Sequence, residues 1–304
     1  MSKTHTKTNS GKSVRERLLN LSRAEHYNPQ MMISRYMQER LLYRLSVSNY
    51  RGRLILKGGA LLYAHDRFEA RPTLDIDFMA THINNDNENI KRIIKEICNV
   101  DAVVDGVSYD ADTVETEDIT VNKEYHGVRI SVVARLDTAR QRISMDIGLG
   151  DVVTPAPQAL TFPALIDTVP QAEIMAYSLE TVVAEKFHAM IALSLANSRM
   201  KDFFDVYRIL VTDRVDNEML VGAIKSTFSN RETNYRESHP LFTEDFFRAK
   251  DRQIFWKGFL QKIKYQETLD FSTVGALIRE RLFPYWESMK LSLIHISEPT
   301  RQEA

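Results

Sequence analysis

Leu54–Ala80 reads LILKGGALLYAHDRFEARPTLDIDFMA. Arg53-Leu54-Ile55-Leu56 is a short apolar run suited to a strand, Lys57-Gly58-Gly59 follows it, and Ala60–Arg67 carries a helical pattern. Thr73–Met79 is a second β-favouring run. Glycines between a strand and a helix let a phosphate approach the backbone closely. The helix that follows aims free N–H groups and its positive dipole end at the same spot. A Gly-Gly pair alone is more often an ordinary tight turn, and Asp75-Ile76-Asp77 changes that reading. Strand side chains alternate, so Asp75 and Asp77 leave one face while Ile76 turns to the core. Two carboxylates about 6–7 Å apart on one strand repel each other unless something positive lies between them. Mg2+ (or Mn2+) suits that place, because it takes hard oxygen ligands and shares them with substrate phosphates. The competing reading is a pair of solvent-facing aspartates on an edge strand.

Upstream, Val14–Ala24 and Gln30–Tyr50 repeat apolar residues at helical spacing, and Asn28-Pro29 parts them. Residues 1–12 read as a disordered arm. Ser10-Gly11-Lys12-Ser13 lacks the earlier glycine and the preceding strand of a phosphate loop. Downstream, Asp86–Cys98 reads as a helix capped by Asn84 or Asn85. Strand-like runs follow around Val107–Ile119, Val128–Leu136 and Arg142–Gly148. Pro155, Pro157, Pro163 and Pro170 mark a loop-rich passage and a boundary. Beyond Ser178 the pattern is helical: Leu179–Ala196, Met200–Val211, Asn217–Phe228, a stretch near Thr243–Ile263, and Thr273–Leu291. The expected architecture is α+β, with a mixed sheet and flanking helices over 13–165 and a mostly α-helical domain over 166–290. Residues 291–304 fit nothing before them and read as a non-native or disordered tail.

The 304 residues are 43% hydrophobic and 27% charged, ordinary for a globular chain with a core of normal size. Lys+Arg (40) nearly balances Asp+Glu (41), which neither favours nor excludes nucleic acid. The one cysteine, Cys98, excludes an intramolecular disulfide and any multi-cysteine metal site, and reads as a small core residue. The start of the chain lacks the apolar region of a secretory signal, and no run reaches bilayer length. A cytoplasmic protein with no membrane partner is expected.

A third carboxylate would complete a two-metal site. Asp146, in the apolar strand Arg142–Gly148, supplies one, with Asp151 as the fallback. A helical cluster adds Glu185-Lys186 and Arg199-Met200-Lys201-Asp202-Phe203-Phe204-Asp205. There Lys201 and Asp205 are i,i+4 and fit a surface ion pair. Asp202 near the helix start suits the dipole. Taken alone, this cluster reads as a solvated face. His188 reads as structural. Trp256, Phe259, Tyr265 and Phe271 stack bases or, at helical spacing, fill a core. Arg44, Arg51 and Arg53 are candidates for a basic rim.

Lys57-Gly58-Gly59-x-x-Leu62, Arg71-x-Thr73-x-Asp75-Ile76-Asp77, Asp146-Ile147-Gly148-x-Gly150-Asp151, Glu185-Lys186 and Lys201-Asp202-x-x-Asp205 occur in this order. The chain thereby resembles, from about Leu54 to Leu210, the AbiEii-type nucleotidyltransferases of abortive infection and phage defence, the toxin halves of toxin–antitoxin pairs. The resemblance implies a DNA-polymerase-β-like nucleotidyltransferase core followed by a helical domain. It implies Asp75 and Asp77 as metal ligands, Lys186 as a nucleotide-phosphate contact, Asp202 as an active-site carboxylate, and Lys57 near the triphosphate. It also implies an NTP substrate, an RNA acceptor such as tRNA, and a cognate antitoxin. The bend is Gly-Gly-Ala where many nucleotidyltransferases have Gly-Ser, so one serine contact to phosphate is missing. Arg71 and Lys186 would hold phosphate oxygens and Thr73 would orient Asp75, with Asp146 or Asp202 as the third carboxylate. The alternatives are a protein of this fold that binds nucleotide without a macromolecular acceptor, and a non-enzymatic partner-binding protein.

Overall fold

The computed structural model describes residues 10–84, 86–101, 104–122, 125–149 and 153–297, with side chains left out at 120–126 and beyond 290. Most of the expected arm, Asn85, Gly150, Asp151 and the end of the tail lie outside the described residues. Two compact units result: residues 1–151 with 157–177, and residues 152–156 with 178–304.

The first unit is built on a seven-stranded mixed sheet. Its elements are α1 (Gly11–Ala24), α2 (Pro29–Ser46), β1 (Leu54–Lys57), α3 (Gly58–Asp66), β2 (Asp75–Ala80), α4 (Asn87–Cys98), β3 (Val107–Asn122), β4 (Tyr125–Leu136), β5 (Ala139–Leu149), β6 (Gln158–Phe162) and β7 (Ala172–Ala176). The strand order is β3-β4-β5-β2-β1-β7-β6. The antiparallel meander β3-β4-β5 joins β2 in parallel, β2 runs antiparallel to β1, and β1 runs parallel to β7. The proline-rich passage thus contains a hairpin, β6–β7, that completes the sheet and carries the first unit past residue 165 to Tyr177. Its five-residue strands between prolines are too short to show a period.

Local chemistry explains the helix ends. Ser10 caps α1 by accepting from Ser13 N (3.4 Å), so the Ser-Gly-Lys-Ser stretch is a helix start. Asn28 caps α2, with Pro29 at its first position. The cap of α4 is Asp86, whose carboxylate accepts from Glu88 N and Asn89 N, and not Asn84. Helix α2 is buried along most of its length despite its charges, because they are paired. Arg44 donates to Asp105 (2.8 Å) and to Val107 O, and Arg40 pairs with Glu39 (2.7 Å). Arg44 is therefore a buried anchor and not part of a basic rim. Cys98 is buried, and burial pushes its thiol up to about 12, which makes it inert.

The second unit is helical: α5 (Leu179–Leu193), α6 (Met200–Val211), α7 (Asn217–Asn230), α8 (Glu244–Arg248), α9 (Lys250–Ile263) and α10 (Phe271–Ser297). The expected tail therefore begins inside α10. Trp256 and Phe271 are buried and stacked at 5.0 Å, and Trp256 Nε1 donates to Leu269 O, so both are core residues and not base-stacking platforms. Among the described residues, no helix is long and apolar enough to cross a membrane.

Candidate active site

The two aspartates stand in the middle of the sheet. β2 lies between β5 and β1, so Asp75 and Asp77 are not on an edge strand. Ile76 is fully buried while its two neighbours are half-buried on the opposite face, as the alternation requires. In register, Asp77 faces Lys57 on β1 and Asp146 on β5, and Asp75 faces Ser144.

The glycine bend is shaped around these groups. Gly58 has φ +66°, and a Cβ placed there would lie 1.9 Å from Asp77 Oδ2. A Cβ on Gly59 would lie 2.8 Å from Thr73 Cβ. Gly58 therefore makes room for a side chain of β2, and Gly59 for one of the segment entering it. We expect Gly58→Ala to reduce nucleotide transfer at least a hundredfold, since the methyl displaces the Asp77 carboxylate, with about 1–2 kcal/mol of stability lost to the left-handed backbone. Assay and thermal melt together check this; an active Gly58→Ala enzyme would contradict it.

The Lys57 side chain makes no capping hydrogen bond at the N-terminus of α3, a helix end whose N–H groups suit an anion. Lys57 Nζ lies 5.3 Å from the Tyr177 ring centroid. Thr73 Oγ1 donates to the backbone carbonyl of Asp75 (3.4 Å), which orients the strand rather than the carboxylate. Arg71 lies half-buried in the irregular segment before β2. Two residues of α2 hold that segment from behind: Arg35 Nη2 donates to Thr73 O (3.3 Å), and Gln38 Nε2 to Leu74 O.

Asp146 shares the sheet face of Asp77, but both its oxygens accept from Arg129 on β4, Nε and Nη2 each at 2.8 Å. Arg129 is pushed above its ordinary value by the hydrogen bond with Asp146, then by the charges of Asp146, Asp75 and Glu117. Among the described residues, no three His, Cys, Asp or Glu side chains are grouped to hold a metal. Two half-buried carboxylates beside a bend a Cβ would fill still fit Mg2+, which commonly takes one or two carboxylates with substrate phosphates.

In the helical unit, Lys186 Nζ on α5 reaches Asp202 Oδ1 (2.7 Å) and Asp205 Oδ2 (2.8 Å) on α6, and Arg199 Nε stands 2.7 Å from Asp202 Oδ2. The two carboxylates are 2% and 1% exposed, so this cluster is buried and not a solvated face. Burial pushes the Asp202 carboxyl up, but Lys186 and Arg199 outweigh it and hold it below the usual range. Glu185 pairs with Arg231 (3.6 Å), and His188 Nδ1 meets Arg231 Nη1 at 3.1 Å, a structural setting.

The model of the nucleotidyl transferase AbiEii toxin, type IV toxin–antitoxin system, matches residues 40–279. The chain belongs to the AbiEii family. The match runs past Leu210 and takes in most of the helical unit. As an AbiEii-family member the chain is a nucleotidyltransferase, in a toxin family of type IV toxin–antitoxin systems; the family implies an NTP substrate and an antitoxin partner. Two solved Helicobacter pylori structures are similar to it. JHP933 shares 12% identity at a TM-score of 0.48, over 89% of this chain and 99% of that one. A provisionally assigned nucleotidyltransferase shares 12% at 0.46, over 87% and 98%. No protein of curated function matches.

Proposed function

We propose that this toxin moves a nucleoside monophosphate from an NTP to an RNA acceptor of the tRNA type, acting in phage defence. Asp75 and Asp77 hold Mg2+ (or Mn2+) beneath the Gly58-Gly59 bend. The observation that carries this reading is the seating of the Asp77 carboxylate against Gly58, which ties an acid pair to a strand-to-helix bend. The metal, when bound, neutralises charge on the phosphates. The remaining work is positioning and electrostatics. The first turn of α3 receives phosphate oxygens, and Lys57 and Arg71 bring positive charge near them. Thr73 fixes the backbone of Asp75. Lys186 and Asp202 form the second charged group required for transfer. The acceptor hydroxyl attacks the α-phosphorus, its proton is released, and pyrophosphate leaves.

The test is incubation with each labelled NTP and total tRNA, with and without Mg2+. Label is expected to enter RNA from one preferred NTP, and only with the metal. Pyrophosphate release or NTP turnover with no labelled RNA would favour a nucleotide enzyme without a macromolecular acceptor. Absence of metal-dependent nucleotide binding would contradict the enzyme reading.

A further inference from the structure

Three adjacent strands carry Asp77, Asp146 and Arg129 side by side: Asp77 is the register partner of Asp146 across β2–β5, and Arg129 is its partner across β4–β5. Asp146 thus stands between an acid and a base, and its two oxygens are committed to the base in a forked pair. Such bidentate Arg–carboxylate contacts are among the stronger polar interactions. A cation recruiting Asp146 must compete with this one for the same two oxygens. The side chains are 46% and 25% exposed, so the pair is open to solvent. A guanidinium has five N–H donors and the fork uses two, which leaves donors for phosphate oxygens.

We infer that Asp146 takes no cation itself but holds Arg129 beside the Asp75–Asp77 pair, so that the site works with one divalent ion and Arg129 supplies the further positive charge. This rests on the reading of Asp75 and Asp77 as metal ligands. Arg129 is then a phosphate contact and Asp146 a positioning residue.

Electron paramagnetic resonance counts bound Mn2+ per full-length chain in the presence of a non-hydrolysable analogue of the NTP that the labelling assay selects. The wild type is expected to hold one Mn2+, and Asp146→Asn, confirmed folded by its melt, one Mn2+ at an affinity within about threefold. Arg129→Gln frees Asp146 and is expected to raise the count towards two or tighten Mn2+ at least tenfold, while slowing transfer. Two Mn2+ in the wild type, or a tenfold loss of affinity in Asp146→Asn, would overturn the inference but leave the metal pair standing. No bound Mn2+ in the wild type would overturn both.

Discussion

Asp77→Asn is expected to lower the rate of nucleotide transfer about a thousandfold or more, with the melting temperature unchanged or raised. A thousandfold is about 4 kcal/mol of transition-state stabilisation, within the range expected for a lost metal ligand. The amide keeps the shape and half the acceptor capacity of the carboxylate but none of its charge, and charge is what a hard cation requires. Stability moves the other way. Asp77 shares a sheet face with Asp75, so removing one negative charge relieves repulsion when no cation is bound. A structural aspartate would give the opposite pattern, with activity kept and the melt lowered. Asp75→Asn should behave alike, and measuring both separates a metal pair from a single essential acid.

The second large effect falls on stability. Lys186→Met leaves Asp202 and Asp205 buried without the cation that both carboxylates reach. Removing one partner of a buried pair costs about 3–5 kcal/mol, a fall of about 6–20 °C in melting temperature. The pH dependence fixes the cause. Asp202 sits below its ordinary value in the wild type, so its contribution is full above about pH 4 and is lost as pH falls through the folded value. Without Lys186, burial raises that carboxyl against Arg199 and the weaker pull of Lys201. The variant is then penalised at neutral pH and relieved as Asp202 protonates. The stability gap between wild type and variant is expected to narrow between pH 7 and pH 4. A gap independent of pH would contradict the buried-pair account. Lys186→Arg, which keeps the charge, should recover much of the stability; transfer measured in that variant reports on phosphate binding separately from folding.

The glycine bend and the acid pair could be read from the sequence because both are local. A strand, two glycines and a helix lie in one stretch, and strand alternation puts Asp75 and Asp77 on one face without tertiary knowledge. What lay across strands or between helices could not. Arg129 is paired with Asp146 by a two-residue connection at 137–138. Asp-Thr lacks the glycine that usually marks such a turn, and taking β5 to begin at Arg142 hides the register. The same hairpin, correctly closed, would have set Arg129 opposite Asp146. Lys201 and Asp205 at i,i+4 suggest a surface pair, yet Lys201 is exposed and Asp205 is buried. Which side of a helix faces inward is decided by Phe203, Phe204 and Val206 packing into the unit, and charge spacing says nothing of that. The hold of Arg35 and Gln38 on the approach to Asp75 joins residues more than thirty positions apart through backbone carbonyls, which leave no trace in residue type.

The central claim is that Asp75 and Asp77 grip one divalent ion beneath the Gly58-Gly59 bend. Anomalous diffraction from crystals soaked in Mn2+ and a non-hydrolysable NTP analogue tests it directly. The account predicts a manganese peak bridged by those two carboxylates with the triphosphate against the first turn of α3. A peak ligated elsewhere, or triphosphate bound away from the bend, would contradict it.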